Sequence, residues 1–104
     1  MNRTIVLYLV SHASGELVEM LARNAVTQLA GVEVRRRLWK TVRRLDQVPE
    51  ILGVLAASPG FVLHSISHRD VREALEEGCR HLGVPYQFAL EPLVGQLAGY
   101  TGAA

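Results

Sequence analysis

Short apolar, β-branched runs alternate with longer stretches of helical periodicity along this 104-residue chain. The first run, residues 4–10 (TIVLYLV), is apolar at nearly every position, which is typical of a strand covered by helices on both faces. Residues 16–30 then place apolar side chains every three or four positions, as an amphipathic helix does, and Gly31 is expected to end that helix. Such alternation is typical of βαβ units and predicts a parallel sheet.

The later segments continue the pattern. Residues 32–39 carry charge on both faces, which predicts an edge strand. Asp46 is predicted to cap a second helix that contains Pro49 in its first turn and stops at residues 58–60. The remaining predicted elements are a strand over 61–66, a capping box from Ser67 to Asp70, a helix over 68–82, a strand over 86–90, and a helix from Pro92 through Leu97 before a tail at 101–104.

Together these elements predict one α/β domain over residues 1–104. Its architecture is a small, open, three-layer αβα sandwich with three or four parallel strands, Rossmann-like in arrangement. The apolar fraction of 49% and charged fraction of 20% are ordinary for a globular protein. The single cysteine, Cys79, excludes an internal disulfide and falls on the apolar face of a predicted helix, so it is expected to be an inert, buried thiol in a cytoplasmic protein. The six-residue apolar run 5–10 is too short for a membrane segment.

Charge is unevenly distributed. The formal net charge is +1, yet six of the ten residues from Arg35 to Arg44 are basic. One interpretation is a solvated edge strand and loop, because charged side chains on an edge prevent strand-to-strand aggregation. The other is a patch for an acidic partner or phosphate. Neither a nucleic-acid nor a membrane partner is predicted.

The loops that follow the strands are the expected ligand sites, because ligands of open parallel sheets bind beyond the carboxyl ends of the strands. The loop Ser-His-Ala-Ser-Gly at 11–15 places two hydroxyls and a glycine before a helix, which suits an anion such as phosphate. Three histidines are expected near this edge, but their spacing matches no metal motif, and no metal or cofactor is predicted. The candidate anion- or partner-binding residues are Ser11, His12, Ser14, Gly15, Glu16, His64, Ser67 and His68.

Several segments together resemble the bifunctional kinase-pyrophosphorylase family, the regulatory proteins of pyruvate phosphate dikinase and phosphoenolpyruvate synthase. The turn at 11–18 (SHASGELV) resembles the Ser-Asp-Gly-Thr-Gly-Glu-Thr-Ala type turn of that family's N-terminal domain, with His12 and Ala13 as departures. Residues 66–75 (ISHRDVREAL), 83–85 (GVP) and 91–94 (EPLV) follow in the family's order and spacing. The resemblance covers nearly the whole chain.

The resemblance implies a phosphoryl-transfer system. Family members phosphorylate a threonine of their target enzyme with ADP and remove that phosphate with inorganic phosphate, on a P-loop domain. This sequence has no glycine-rich run ending in Lys-Ser or Lys-Thr, so the backbone cradle and lysine needed for phosphoryl transfer are missing from it. No catalytic residue is therefore assigned, and the chain is expected to bind phosphate, or the phosphorylated dikinase or synthase.

Two alternatives stay open at the level of sequence. Val10, Ser11 and His12 also resemble the phosphohistidine turn of mannose-type phosphotransferase IIA domains, in which His12 would accept a phosphoryl group as a nucleophile. The chain could otherwise serve as a structural or oligomerisation module, and a homo-oligomer is compatible with either interpretation.

Overall fold

The computed structural model describes residues 3–103 and contains, in that range, a four-stranded parallel sheet and four α-helices. The strands are β1 (Arg3–Val10), β2 (Val32–Trp39), β3 (Phe61–His64) and β4 (Tyr86–Phe88). The helices are α1 (Glu16–Val26), α2 (Val48–Ala57), α3 (Arg69–Leu82) and α4 (Leu93–Thr101). The predicted α/β class and parallel sheet are confirmed. Residues 1, 2 and 104 of the predicted domain lie outside the described part.

The strand order is β2-β1-β3-β4, and all neighbours are parallel. β1 is hydrogen-bonded on both sides: Leu9 lies between Leu38 of β2 and Leu63 of β3. Helices also cover both faces of β1, which explains why its residues from Ile5 onward are apolar. β2 lies at the edge of the sheet, as its charged residues predict.

Two apolar cores lie on opposite faces of the sheet. On one face, α2 and α3 pack on Tyr8, Val10 and Val62. On the other face, Val18 and Ala22 of α1 pack on Leu7 and Leu9. Because the chain passes from β1 to one face and from β3 to the other, the ends of these two adjacent strands diverge and leave a crevice between them, which is where ligands of such sheets bind.

Cys79 is fully buried in the core beneath α2 and α3, as predicted. Burial raises the pKa of its thiol to about 11, so the thiol is protonated and unreactive near neutral pH. None of the helices between residues 3 and 103 has the length and apolar character needed to cross a membrane.

The first helix is shorter than predicted. α1 ends at Val26 and not at residue 30. The Thr27 hydroxyl donates to the carbonyl of Asn24 (2.7 Å), and the amides of Gln28 and Leu29 make tighter turn bonds to carbonyls three residues back. Hydrogen bonds from polar side chains to nearby backbone groups compete with the hydrogen bonds of an α-helix. The apolar periodicity of the sequence does not reveal this competition.

Two predicted helix caps are wrong. Asp46 pairs with Arg44 (3.0 Å), and a 3-10 turn over Leu45–Gln47 precedes α2. The Gln47 side chain there accepts the amides of Arg43 and Arg44. The Ser67–Asp70 capping box does not form, because His68 takes the N-cap position and Ser67 therefore lies one residue before it; Asp70 accepts the amide of Val71.

The bounds of later elements also differ from the prediction. β3 and β4 end at His64 and Phe88, two residues earlier than expected in each case, where the chain turns into the loops at the strand ends. α4 begins at Leu93 and continues to Thr101, four residues beyond the predicted end. The first residue of the predicted tail, Thr101, is therefore the last residue of α4. Residue 104 of that tail lies outside the described part.

Candidate functional site

The candidate site is the crevice at the carboxyl ends of β1 and β3, between loops 11–15 and 65–68. Backbone hydrogen bonds fix the first loop against the chain that leaves β2. The amide of Ser11 donates to Trp39 (2.8 Å), and the amides of Thr41 and Val42 donate to Ala13 (2.9 Å) and Ser11 (2.8 Å). The second loop is fixed by the Ser65 amide, which donates to the carbonyl of Val10 (2.9 Å). Both loops are thus anchored to the rigid sheet.

Gly15 is the N-cap residue of α1 and has a positive φ of 96°. A β-carbon at this position would lie 2.8 Å from a methyl carbon of Leu38. The backbone conformation therefore favours glycine here, and a side chain would in addition require the end of the Leu38 side chain to move. Gly15 has no side chain to cap α1, and the Ser14 hydroxyl makes only a long hydrogen bond with the first amide (3.5 Å), so the first turn of α1 faces the loop with the positive end of the helix dipole.

The structure brings two of the predicted histidines together. The rings of His12 and His68 meet edge to face, with centroids 5.7 Å apart, one from each loop of the crevice. His68 is exposed and His12 is half-buried. The Nδ1 atom of His12 is buried and has no hydrogen-bond partner within residues 3–103. A buried polar nitrogen without a partner is unusual in a folded protein, and it makes this loop a candidate for a ligand contact.

His64, the third predicted histidine, does not enter the crevice. Its ring is fully buried; Nε2 lies 2.7 Å from Oε2 of Glu76, and Nδ1 accepts the amide of Ile66 (3.2 Å). Because Nδ1 is an acceptor, Nε2 carries the proton and donates it to Glu76. Arg72 completes the cluster: its Nε lies 3.3 Å from the same Glu76 oxygen, and its guanidinium stacks on Phe88.

Burial is the main cause that lowers the pKa of His64 below its usual value, and the neighbouring Glu76 only partly opposes it. The Ile66 amide acts in the same direction as burial, because a second ring proton on Nδ1 would point at that N–H. His64 is therefore held as a neutral ring by the fold.

The remaining predicted residues have different positions. Ser11 is buried, and its hydroxyl oxygen accepts the amide of Ala13 (3.0 Å), so it shapes the loop. Ser14 is exposed beside the first amide of α1, at the long distance of 3.5 Å. Ser67 is exposed at the entrance of the second loop. Glu16 is exposed in the first turn of α1, where a carboxylate stabilises the helix end but repels an anion.

Arg43 is a site residue that the sequence did not identify individually. Its Nε donates to the carbonyl of His12 (2.8 Å), which places a guanidinium beside the first loop. The cluster of basic residues at 35–44 was the available signal, but it did not show which member reaches the crevice. Lys40 follows β2 in the same loop and adds positive charge to this edge, whereas Arg44 is paired with Asp46.

The groups that line the crevice are mainly hydrogen-bond donors. Amides of a helix N-terminus, two imidazoles and a guanidinium all donate hydrogen bonds, and phosphate oxygens accept them. Within the described residues 3–103, no group of three or more His, Cys, Asp or Glu side chains lies close enough together to hold a metal ion.

Comparison with known proteins identifies the family. The family model described as kinase/pyrophosphorylase matches residues 7–104. The chain belongs to the kinase/pyrophosphorylase family. Its relatives include proteins named pyruvate, phosphate dikinase regulatory protein. The one from Novosphingobium aromaticivorans is 38% identical over 92% of this chain, that from Paramagnetospirillum magneticum 36% over 92%, and that from Caulobacter vibrioides 34% over 93%.

This kinase/pyrophosphorylase chain spans only about a third of the length of those relatives: 34%, 31% and 31%, respectively. The family match covers both crevice loops, the loop that carries Arg43, and all four helices. The resemblance of the turn at 11–18 and of the segment at 66–75 to this family, noted from the sequence, thus agrees with the family assignment. In the fold, these two segments face each other across the crevice.

Proposed function

We propose that this chain acts in the regulation of pyruvate, phosphate dikinase by recognising a phosphate group, free or carried by the target protein, in the crevice between loops 11–15 and 65–68. The observation that carries the proposal is the convergence of hydrogen-bond donors on one edge of the sheet. The names of the relatives support a role in dikinase regulation.

Each element of the crevice would have a distinct part in binding. The first-turn amides of α1 would face the phosphate oxygens, and Gly15 lets the backbone approach closely because it carries no side chain. His12 and His68, whose rings contact each other, would together line the phosphate site. Arg43 would supply positive charge at the rim and hold the His12 carbonyl in place.

Recognition is proposed in place of catalysis, since the sequence contains no glycine-rich run with its lysine. A phosphorylated threonine on a protein loop fits the crevice better than a nucleotide does. The crevice offers donors for a single phosphate, namely the first-turn amides of α1 and the Arg43 guanidinium beside them.

The phosphohistidine-carrier function is the competing proposal, and the unbonded Nδ1 of His12 is the observation that favours it. Because that nitrogen is buried, attack by it requires the loop to open. Incubation with a phosphorylated carrier protein distinguishes the two functions. Acid-labile label on the wild-type chain that is absent from His12→Ala would establish the carrier, whereas an unlabelled chain that binds phosphate supports recognition.

Calorimetric titration with a threonine-phosphorylated peptide from the dikinase tests the proposal. We expect saturable binding that is absent with the unphosphorylated peptide and weakened at least fivefold by His68→Ala or Arg43→Ala, which corresponds to about 1 kcal/mol per contact. His81→Ala is the matched control, because His81 is an exposed histidine in the last turn of α3, away from the crevice. Equal binding of both peptides, or equal loss in the control, would contradict the proposal.

A further inference from the structure

The outer edge of β2 is a long, open strand edge. All eight residues of β2 are in register with β1, and within residues 3–103 the strand has no partner on its other side. An edge of this kind presents a row of backbone N–H and C=O groups that another strand can bond. β4, at the opposite edge of the sheet, has only three residues. The edge of β2 is therefore the longer of the two on which this sheet can be extended.

Edge strands are often protected by backbone features that β2 lacks. A proline removes a donor from the edge, and a bulge twists the edge away from an incoming strand. β2 contains no proline, and its register with β1 is continuous from Val32 to Trp39. Its protection is charge, which repels strands of the same sign but attracts a strand of the opposite sign.

Three consecutive arginines supply this charge, and the strand distributes them over both faces of the sheet. Arg37 lies opposite Tyr8 of β1 and Arg36 lies opposite Leu7, and these two β1 residues belong to the cores on different faces. Arg35 shares the face of Arg37, because side chains alternate along a strand. All three arginines are exposed, and within residues 3–103 none of them pairs with a carboxylate.

We propose that the outer edge of β2 binds an acidic, extended segment of a partner protein, which adds to the sheet as a further strand. The segment would bond the outward N–H and C=O groups of β2, and its alternate side chains would lie on the two faces of the sheet. Carboxylates on one face would meet Arg35 and Arg37, and a carboxylate on the other face would meet Arg36. Arginine suits this contact, because its planar guanidinium donates two parallel hydrogen bonds to one carboxylate. Arg37 is already oriented, since its guanidinium stacks 4.6 Å from the centroid of the Trp39 ring.

The partner is argued from charge and backbone geometry together. A second copy of this chain that paired along the full length of β2 would place the arginines of the two copies opposite one another, and like charges in that position are destabilising. A nucleic acid matches the charge, but its backbone has no amide and carbonyl groups to continue a β-ladder. An acidic polypeptide strand satisfies both requirements. The proposal is independent of phosphate recognition, because the three arginines lie outside the crevice loops.

Hydrogen exchange on the wild-type chain tests strand addition. The probe is an eight-residue peptide in which threonine and glutamate alternate, so that its carboxylates share one face when it is extended. At saturation, the amides of β2 that point away from β1 should become protected, and the amides of residues 65–68 should not change. A peptide with proline in place of threonine has the same charge but lacks half of the amides, and it should not protect β2.

Three results of this experiment would overturn the proposal. Equal protection by the threonine and proline peptides would show attraction between charges without strand pairing. Protection of the same amides by an oligothymidine would make the edge a polyanion site. Protection that appears without peptide, on raising the protein concentration, would assign the edge to a second copy of the chain.

Charge reversal tests the arginines. Arg35→Glu combined with Arg37→Glu should weaken binding of the glutamate peptide at least about tenfold, and this variant should instead bind a peptide with lysine in place of glutamate. The control combines Arg23→Glu with Arg69→Glu, two exposed residues outside β2, which makes the same change in net charge and should alter affinity less than about threefold. His68→Ala, a change in the crevice, should leave binding of the glutamate peptide unchanged. Equal losses in the two double variants, or failure of the lysine peptide to bind the folded β2 variant, would overturn the proposal.

Discussion

Histidines at the same edge of the sheet have two different environments: His64 in one, His12 and His68 in the other. His64, at the end of β3, is fully buried and has both ring nitrogens bonded inside the protein, to Glu76 and to the Ile66 amide. The rings of His12 and His68, on the loops just beyond, contact each other edge to face, and Nδ1 of His12 has no partner within residues 3–103.

The difference lies in whether the hydrogen-bonding capacity of each ring is already satisfied. A neutral imidazole has one donor and one acceptor, and the contacts of His64 satisfy both. The His64 cluster therefore joins β3 to α3 and supports the crevice from below. The exposed His68 retains capacity for a ligand, and His12 has an unbonded nitrogen that is buried until the loop opens. The position of a histidine at a strand end thus predicts that it lies near the site. Whether its ring nitrogens already have hydrogen-bond partners determines whether it supports the site or can contact a ligand.

Replacing His64 and His68 by alanine, one at a time, is the strongest test of this difference between the histidines. His64→Ala should lower the free energy of unfolding by about 2–4 kcal/mol, because it leaves a cavity and removes one of the two donors of the half-buried Glu76. His68→Ala should change it by less than about 0.5 kcal/mol, as expected of an exposed side chain. Urea denaturation of the two variants measures both values. Similar losses in the two would show that the distinction between support and contact is wrong.

Gly15→Ala tests how far the crevice itself depends on a glycine at the start of α1. We expect a loss of about 1–3 kcal/mol in unfolding free energy, because alanine must adopt a positive φ and its methyl group meets Leu38. Gly83→Ala is the matched control, with a φ of 70° but open space around its β-carbon, and it should cost less. Thermal denaturation compares them. Equal losses would show that contact with Leu38 is unimportant.

The state of His64 predicts a dependence of stability on pH. Its pKa in the folded protein is lowered, so the unfolded chain binds the proton more readily below its ordinary pKa of about 6.5. Stability should accordingly be complete above that pH and fall as pH decreases toward the folded pKa, by up to about 1.4 kcal/mol for each pH unit. Urea midpoints between pH 7.5 and 5 measure this slope. His64→Gln should flatten it, and an unchanged slope in that variant would contradict the assignment.

The smallest expected effect concerns Glu16. Its exposed carboxylate lies in the first turn of α1, where it opposes an anion at the same helix end. Glu16→Gln should therefore strengthen phosphate binding about twofold to threefold at low salt, and added salt should reduce the difference. Glu50→Gln, an acidic residue in the first turn of α2, is the control and should leave affinity unchanged. Weaker binding by Glu16→Gln would instead make the carboxylate a ligand contact.

The sequence predicted the features of the fold that depend on apolar periodicity and on strand position. The apolar β1 became the central strand, the charged β2 became the edge strand, and Cys79 lies buried where the helical pattern placed it. Helix ends were predicted less well. Asp46 and Ser67 are residue types that often cap helices, but Gln47 and His68 occupy the N-cap positions of α2 and α3. Contacts between residues distant in sequence fix the loops and so determine which residue takes the cap.

The candidate site was predicted as a set of loops but not as an arrangement of side chains. Parallel topology alone brings the loops of His12 and His68 together, so their proximity follows from the pattern of strands. The inward rotation of His64 depends on Glu76, twelve residues away on α3, and the contact of Arg43 with His12 spans thirty-one residues. Contacts of this range depend on tertiary packing and have no local signature.

The most direct test of the phosphate-recognition proposal is an amide NMR titration of the wild-type chain with inorganic phosphate, and with sulfate at matched ionic strength. We predict saturable shifts confined to residues 11–16, 41–44 and 65–68, larger with phosphate than with sulfate and reduced in Arg43→Ala. The amide signals around His64 and Glu76 should shift only weakly, because these residues support the crevice without contacting the ligand. Absence of saturable shifts at these loops, or shifts spread evenly over the surface, would contradict phosphate recognition by this crevice.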